Sequence, residues 1–168
     1  MSERNRGSSN RRNTSDNKDS YQKKEFKDSE EFKKFKKNGK DWIQNEFTSD
    51  TIDFCEAFGK VLVAGRLTTS QIRNIYGEIK RIEAKENFED SYQDFLLLRP
   101  KIAYAAKRAG TRGIEDLRTV MELAHAAVTD SEGGEYKEGK SYKSKAFKNF
   151  SNFFEAILAY HKAEGGRE

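Results

Sequence analysis

Little in this chain is equipped for covalent chemistry. Its 168 residues include one cysteine, Cys55, two histidines, His125 and His161, and one proline, Pro100. A lone cysteine cannot close a disulfide within the chain, and a reducing cytoplasm is its natural setting. Neither histidine has a cysteine or a second histidine at ligand spacing, so no structural zinc site is expected. A Cys–His nucleophile would need Cys55 to meet one of them, and nothing near it in sequence suggests activation. Gly133-Gly134 lacks the Lys-Ser/Thr neighbours and the strand context of a phosphate loop. No apolar run approaches the length that spans a bilayer. Valine occurs only four times and no stretch alternates apolar and polar residues for long, which leaves strands without a signal. The expectation is an all-α protein that is not an enzyme, with no catalytic residues, metal or cofactor and no membrane contact.

Charge is what the chain has in quantity: 36% of residues are charged against 35% hydrophobic, and the balance is uneven. Residues 1–40 hold 13 basic and 7 acidic residues, leaving 19 basic and 21 acidic residues beyond them. The formal net charge of +4 is therefore a property of the N-terminal segment. Residues 1–17 are mostly Arg, Asn and Ser without an apolar run, too little to offset chain entropy, and are expected to be disordered. They are too polar for a secretory signal and lack the amphipathic helix of a mitochondrial presequence. From Ser20 to Lys40, Phe26, Phe32 and Phe35 alternate with Lys and Glu, which permits only a weak helix with a narrow apolar face. Gly39 breaks that pattern. Residues 1–40 are thus expected to form a charged, largely disordered arm, and residues 41–168 a helical domain that opens with Trp42, Ile43 and Phe47.

Five blocks of helical periodicity follow, predicting a compact five-helix bundle. Asp50 is placed to cap a helix that turns Ile52, Cys55, Phe58 and Leu62 inward and ends near Gly65. Thr68 and Gln71 have the form of a capping box, before a helix burying Ile72, Ile75, Tyr76, Ile79 and Ile82. A third helix from about Asp90 carries Phe95, Leu98, Ile102 and Ala106 inward and stops at Gly110, and Pro100 within it predicts a kink or a restart. The fourth buries Ile114, Leu117, Val120, Met121, Ala124 and Val128. A Gly-rich charged loop over 131–140 leads to the fifth, whose apolar side holds Phe147, Phe150, Phe153, Phe154, Ile157, Leu158, Tyr160 and His161 before Gly165-Gly166 ends it. Each lone histidine, at or beside an apolar face, is expected to be packed and hydrogen-bonded. The acidic pairs Glu89-Asp90 and Glu115-Asp116 stand at helix starts, where they complement the dipole.

The basic residues have a pattern of their own. Leu97, Lys101, Tyr104 and Arg108 share one side of the third helix, away from its inner line. Arg73 and Lys80, seven apart, share a face of the second, with Arg66 just before it and Arg112 just after the third. Such groups suit contact with successive phosphates, and the first-turn amides near Ser70 add a possible anion contact. Surface charge that only keeps exposed helices solvated explains them as well, and a folded region of net −2 has little global attraction for polyanions.

Three segments then point to a family: FKNFSNFFEAILAYHKAEGG (147–166), LTTSQIRNIYGEI (67–79) and LRPKIAYAAKR (98–108). In order and spacing they resemble the small subunit of type III-A CRISPR effector complexes, the Csm small subunit, over roughly residues 50–166. Residues 1–49 carry no resemblance. The resemblance implies a non-catalytic subunit that multimerises with copies of itself along a ribonucleoprotein, in antiviral interference. It also implies contact with the large polymerase-like subunit and the repeated backbone subunits, and with the crRNA–target RNA duplex through backbone phosphates. Under it, Arg73 matches the Arg of the Thr-Thr-Ser helix, while Arg99, Tyr104 and Arg108 match the Arg, Tyr and Arg of the third-helix motif. Arg66, Ser70, Lys80, Lys101 and Arg112 enter from helix position alone. A helical protein–protein adaptor with incidental surface charge, and a small basic chaperone or nucleoid-type DNA binder, are the alternatives from other classes.

Overall fold

A computed structural model describes residues 25–132, 134–137 and 140–167 of the chain. A 3-10 turn, Phe26–Asp28, precedes six α-helices among the described residues: α1 Glu30–Gln44, α2 Ser49–Ala64, α3 Thr69–Glu83, α4 Phe88–Ala109, α5 Arg112–Thr129 and α6 Tyr142–Ala163. A short antiparallel ribbon, β1 Glu135–Lys137 with β2 Lys140–Ser141, occupies the stretch expected as loop. Helix α6 is the axis of the fold and touches each of the other five. Its aromatic run explains why: Phe147, Phe150, Phe153 and Phe154 are all buried, with Ile157, Leu158 and His161 continuing the face.

The sixth helix comes from the segment read above as a solvated arm, and that reading is corrected. Phe32, Phe35, Gly39, Trp42 and Ile43 make a narrow but fully buried stripe along α1. Phe35 stacks on Phe54 at 4.8 Å and on Phe153 at 5.5 Å, and Phe26 on Phe58 at 4.9 Å. Burying each such ring contributes about 1.5–3 kcal/mol, so three of them stabilise a helix whose charged residues stay in water. Gly39 does not break the helix: a Cβ there would come within 2.6 Å of the Phe35 ring, which lies across it. Ser29, accepting from the Phe32 amide at 3.1 Å, starts α1. The packed domain therefore opens near Phe26, not at residue 41. Residues 1–24, which include the segment expected to be disordered, lie outside the described residues.

Two helix starts also differ from expectation. Thr48 caps α2, its amide donating to Thr51 Oγ1 at 3.1 Å, and Asp50 sits in the first turn, paired with Lys34 at 3.0 Å. Helix α4 begins at Phe88 and runs through Pro100 without a restart. The proline's missing N–H leaves only the Leu96 carbonyl without its helical donor, and both residues are exposed, where water can serve it. Thr68 and Gln71 form the expected capping box, at 3.0 and 3.2 Å.

One end of the bundle is tied together by backbone. The Gly113 amide donates to the Gly65 carbonyl at 2.7 Å, and a Cβ on Gly113 would stand 2.7 Å from the Leu62 carbonyl oxygen. Only glycine lets α5 begin so close to the end of α2. The end of α6 closes the same region: Thr69 donates from its amide to the Arg167 carbonyl at 2.6 Å and from Oγ1 to the Gly166 carbonyl at 3.0 Å. His161 Nε2 lies 2.9 Å from the Leu67 carbonyl.

Candidate nucleic-acid interface

Helices α3 and α4 diverge enough to leave an open groove of about 650 Å³. Gln71, Asn74 and Glu78 line it from α3, and Lys101, Tyr104 and Arg108 from α4, over an apolar floor that includes Ile75 and Ile102. The floor reaches Ile114, so the groove opens at the glycine-tied end of the bundle. Arg66 follows Gly65 and Arg112 precedes Gly113, so both arginines flank the backbone bond that ties this end of the bundle, and Ser70 lies exposed beside Gln71; none of the three lines the groove itself. Six of the nine candidate residues are thus in the groove or at the end of the bundle where it opens: Lys101, Tyr104 and Arg108 line it, and Arg66, Ser70 and Arg112 lie next in sequence to the residues that tie that end.

The other three are not. At about 100° per residue, Arg73 and Lys80 fall on the flank of α3 away from Gln71, Asn74 and Glu78. Lys80 reaches α6 instead: its Nζ is 2.7 Å from Glu83 and 3.2 Å from Glu155, and 5.4 Å above the Tyr76 ring. The Glu83 bond, ahead of the Glu155 one, raises the Lys80 pKa. Glu83 also accepts from Lys148 and from Ser151 Oγ. Burial alone would push the Glu83 carboxyl up, but bonds from Lys148, Lys80 and Ser151 outweigh it and hold the group down at about 2. Lys80 is therefore part of the clamp between α3 and α6. Arg99 lies on the opposite flank of α4 from Lys101, Tyr104 and Arg108, and its charge is felt at His125 of α5. That histidine is buried, stacks on Phe95 at 4.2 Å and has Nε2 2.9 Å from the Phe95 carbonyl. Burial, aided by Arg99 and opposed by the carbonyl contact, lowers its pKa.

Pairing inside the groove is uneven. Lys101 binds Glu78, whose pKa falls because of Lys101 first and Arg81 second. Arg112 sits 3.6 Å from Asp116, a largely buried carboxylate that burial pushes up and Arg112 draws part of the way down. Arg66 and Arg108 form no ion pair with any described residue. Arg66 is also the one non-glycine residue with positive φ, 63°, among those described. It occupies the left-handed position after α2, with its amide bonded to Val63 O at 3.0 Å and that of Leu67 to Leu62 O at 3.0 Å, where glycine is the usual residue. Holding arginine there costs about 1–2 kcal/mol. The amide contact expected near Ser70 is reduced, because the Thr69 and Gln71 amides already bond to Arg167 O and Thr68 Oγ1. Gln71 and Asn74 were not among the sequence candidates, although their place on the Glu78 side of α3 was available from the wheel.

His125 and His161 are both buried. Cys55 is buried, its pKa pushed up by burial to about 12. Among the described residues no three potential ligands cluster for a metal, and no helix is long and apolar enough to cross a membrane. A family model described as Csm2 Type III-A matches residues 45–167. The chain belongs to that family. It is accordingly a type III-A Csm complex small subunit, a structural component that works with other subunits of the effector. The Csm2 match takes in α2–α6 and every candidate residue, and α1 packs onto it from outside. No curated protein and no solved structure matches the chain.

Proposed function

We propose that this Csm2 subunit contacts the backbone of the crRNA–target RNA duplex with the mouth of the α3–α4 groove. In that role it stacks with copies of itself beside the large polymerase-like subunit and the repeated backbone subunits, in the cytoplasm, and guides the target strand during antiviral interference without catalysing a step. The observation that carries the reading is Arg108, which lines the groove and has no ion-pair partner among the described residues, with Arg66, equally without one, and Arg112 next in sequence to the Gly65–Gly113 contact. A guanidinium fork matches phosphate oxygens, and such contacts carry no base information. Tyr104, 70% exposed, adds a ring and a hydroxyl beside them. The strained backbone at Arg66 supports a use for that side chain, since residues held in sparsely populated conformations concentrate at functional positions. Buried His125, His161 and Cys55 supply no accessible acid, base or nucleophile, which supports a non-catalytic role.

The test is reconstitution of the effector with the Arg66→Ala/Arg108→Ala/Arg112→Ala subunit, assayed on two RNAs of unrelated sequence. Affinity should fall about tenfold or more on both alike. Lys80→Ala/Arg99→Ala, which alters cations outside the groove, should leave RNA affinity unchanged. A plain adaptor would assemble and leave RNA binding untouched by either variant.

A further inference from the structure

Helix α1 buries one side, and its lysines are not spread evenly over the side it shows to water. At about 100° per residue, Lys33, Lys36, Lys37 and Lys40 fall within about 100° of one another, and all four are exposed. They make a row about two turns long on the flank towards α5. The acidic residues of the helix, Glu30, Glu31 and Asp41, all fall outside that row. Lys36 and Lys37 form no ion pair with any described residue. Lys33 meets Glu30 at 2.8 Å and Lys40 meets Asp130 only at 3.9 Å, with both partners open to water. Exposed pairs of this kind contribute little and give way to a better anion.

Beside the row runs a cleft of about 230 Å³ between α1 and α5. Phe35, Leu123, Ala126 and Ala127 give it an apolar wall, and Lys36 and Lys40 stand along its α1 edge. Leu123 is 41% exposed there, and Gly39 adds no side chain that would fill the space. A row of cations alone suits any polyanion. Row and apolar wall together suit a single nucleic-acid strand, whose unpaired bases need a face to lie on while its phosphates meet the lysines. A duplex keeps its bases stacked inside and offers the wall nothing. A lipid surface fits less well, because the apolar side of α1 is already packed on Phe54 and Phe153 and none is left to enter a bilayer. We infer that α1 and α5 together hold a single nucleic-acid strand, its phosphates on Lys33, Lys36, Lys37 and Lys40 and a base against Leu123.

This site is separate from the α3–α4 groove and does not rest on the reading given to it. Helix α1 packs on α2, α5 and α6, which stand between it and that groove. The lysine row also lies outside residues 45–167, the stretch matched by the Csm2 family, so it is an addition carried by this chain. Residues 1–24 hold seven basic against three acidic residues, which concentrates the charge excess of the chain in α1 and the segment leading into it. One subunit can then hold a strand at α1 while its groove takes the duplex.

Fluorescence anisotropy of a polyuridine oligonucleotide across a salt series tests the site. The full chain carrying Arg66→Ala/Arg108→Ala/Arg112→Ala, which takes the groove cations out of the measurement, should still bind. Adding Lys36→Gln/Lys37→Gln/Lys40→Gln should weaken binding about tenfold at low salt and flatten the slope of log affinity against log salt by about 2. Residues 1–24 are the same in both proteins, so the difference is read on α1. Leu123→Gln should weaken single-strand binding about three- to fivefold at an unchanged slope, and duplex RNA should bind less tightly and not respond to it. Polydeoxythymidine of the same length should bind within about twofold of polyuridine, since phosphates and base faces are common to both; a larger preference for either sugar names the source of the strand and upholds the site. Circular dichroism should show every variant equally helical. A lysine variant that keeps the affinity and slope of its parent, or a parent that binds no oligonucleotide, overturns the site. Duplex bound as tightly as single strand, with Leu123→Gln silent, overturns the single-strand assignment. Phosphatidylserine vesicles bound in place of the oligonucleotide would make the partner a lipid surface and overturn the proposal. The groove reading is untouched by any of these results, because its cations are absent from the proteins compared.

Discussion

At the scale of single residues, the contact between Gly65 and Gly113 decides where the arginines stand. A Cβ on Gly113 would meet the Leu67 amide nitrogen at 2.8 Å and the Leu62 oxygen at 2.7 Å, both backbone atoms that cannot turn aside. Gly113→Ala should destabilise the fold by about 2–3 kcal/mol, read as a lower urea midpoint at constant m. An unchanged midpoint would show that α5 can back away at no cost. Two titrations set how stability depends on pH. The Glu83 carboxyl is held at about 2 against an ordinary 4.5, so its stabilisation is present above 4.5 and is lost as pH falls towards 2. Glu83→Gln should cost about 1–3 kcal/mol at neutral pH and flatten the stability profile in that acid window. His125 is also lowered, from 6.5, so the folded state takes up its proton less readily than the unfolded chain. Its contribution is full above 6.5 and declines as pH drops below that value. His125→Asn should remove that decline while leaving the Glu83 window intact, as urea titrations at a series of pH values would show.

At the scale of elements, α1 tests whether charge composition or aromatic burial governs the N-terminal region. Phe35→Ala should cost about 3–5 kcal/mol, because the ring is stacked between Phe54 and Phe153 and the space it leaves is lined by rigid aromatics. A thermal shift of only a degree or two would return the segment to the status of a solvated tail. Five helices were legible in the sequence because their apolar residues recur in wide stripes with capping signals, as at Thr68–Gln71 and Gly110. Helix α1 was not, since its stripe is one or two residues wide and lies in a segment rich in lysine. What makes it fold is the receiving surface, Phe54, Phe58 and Phe153, which belongs to α2 and α6 and cannot be read locally. The run of α4 through Pro100 was hidden for a related reason. The proline removes a bond only on the exposed face, and exposure is a property of the assembled bundle.

At the scale of the whole molecule, charge is local. The described domain is close to charge balance and has little global attraction for a polyanion, so binding depends on which cations lack partners. The wheel correctly grouped Lys101, Tyr104 and Arg108, because they share one helix. It put Arg73 and Lys80 on one face of α3, but which flank of α3 faces α4 and which faces α6 is set by tertiary packing. Arg66 and Arg112 could be placed near the site only as loop residues; the contact of Gly65 with Gly113 brings their backbones to the same end of the bundle. The central claim is that the groove mouth holds RNA phosphates, and the salt dependence of target RNA affinity in the assembled complex tests it most directly. Removing one cation from a phosphate should reduce the slope of log affinity against log salt by roughly 0.7–0.9. The Arg66→Ala/Arg108→Ala subunit should therefore flatten the slope by about 1.5–2 relative to wild type, with Lys80→Ala/Arg99→Ala giving the wild-type slope. An assembled complex with the Arg66→Ala/Arg108→Ala subunit that keeps both the affinity and the slope of the wild type would contradict the account.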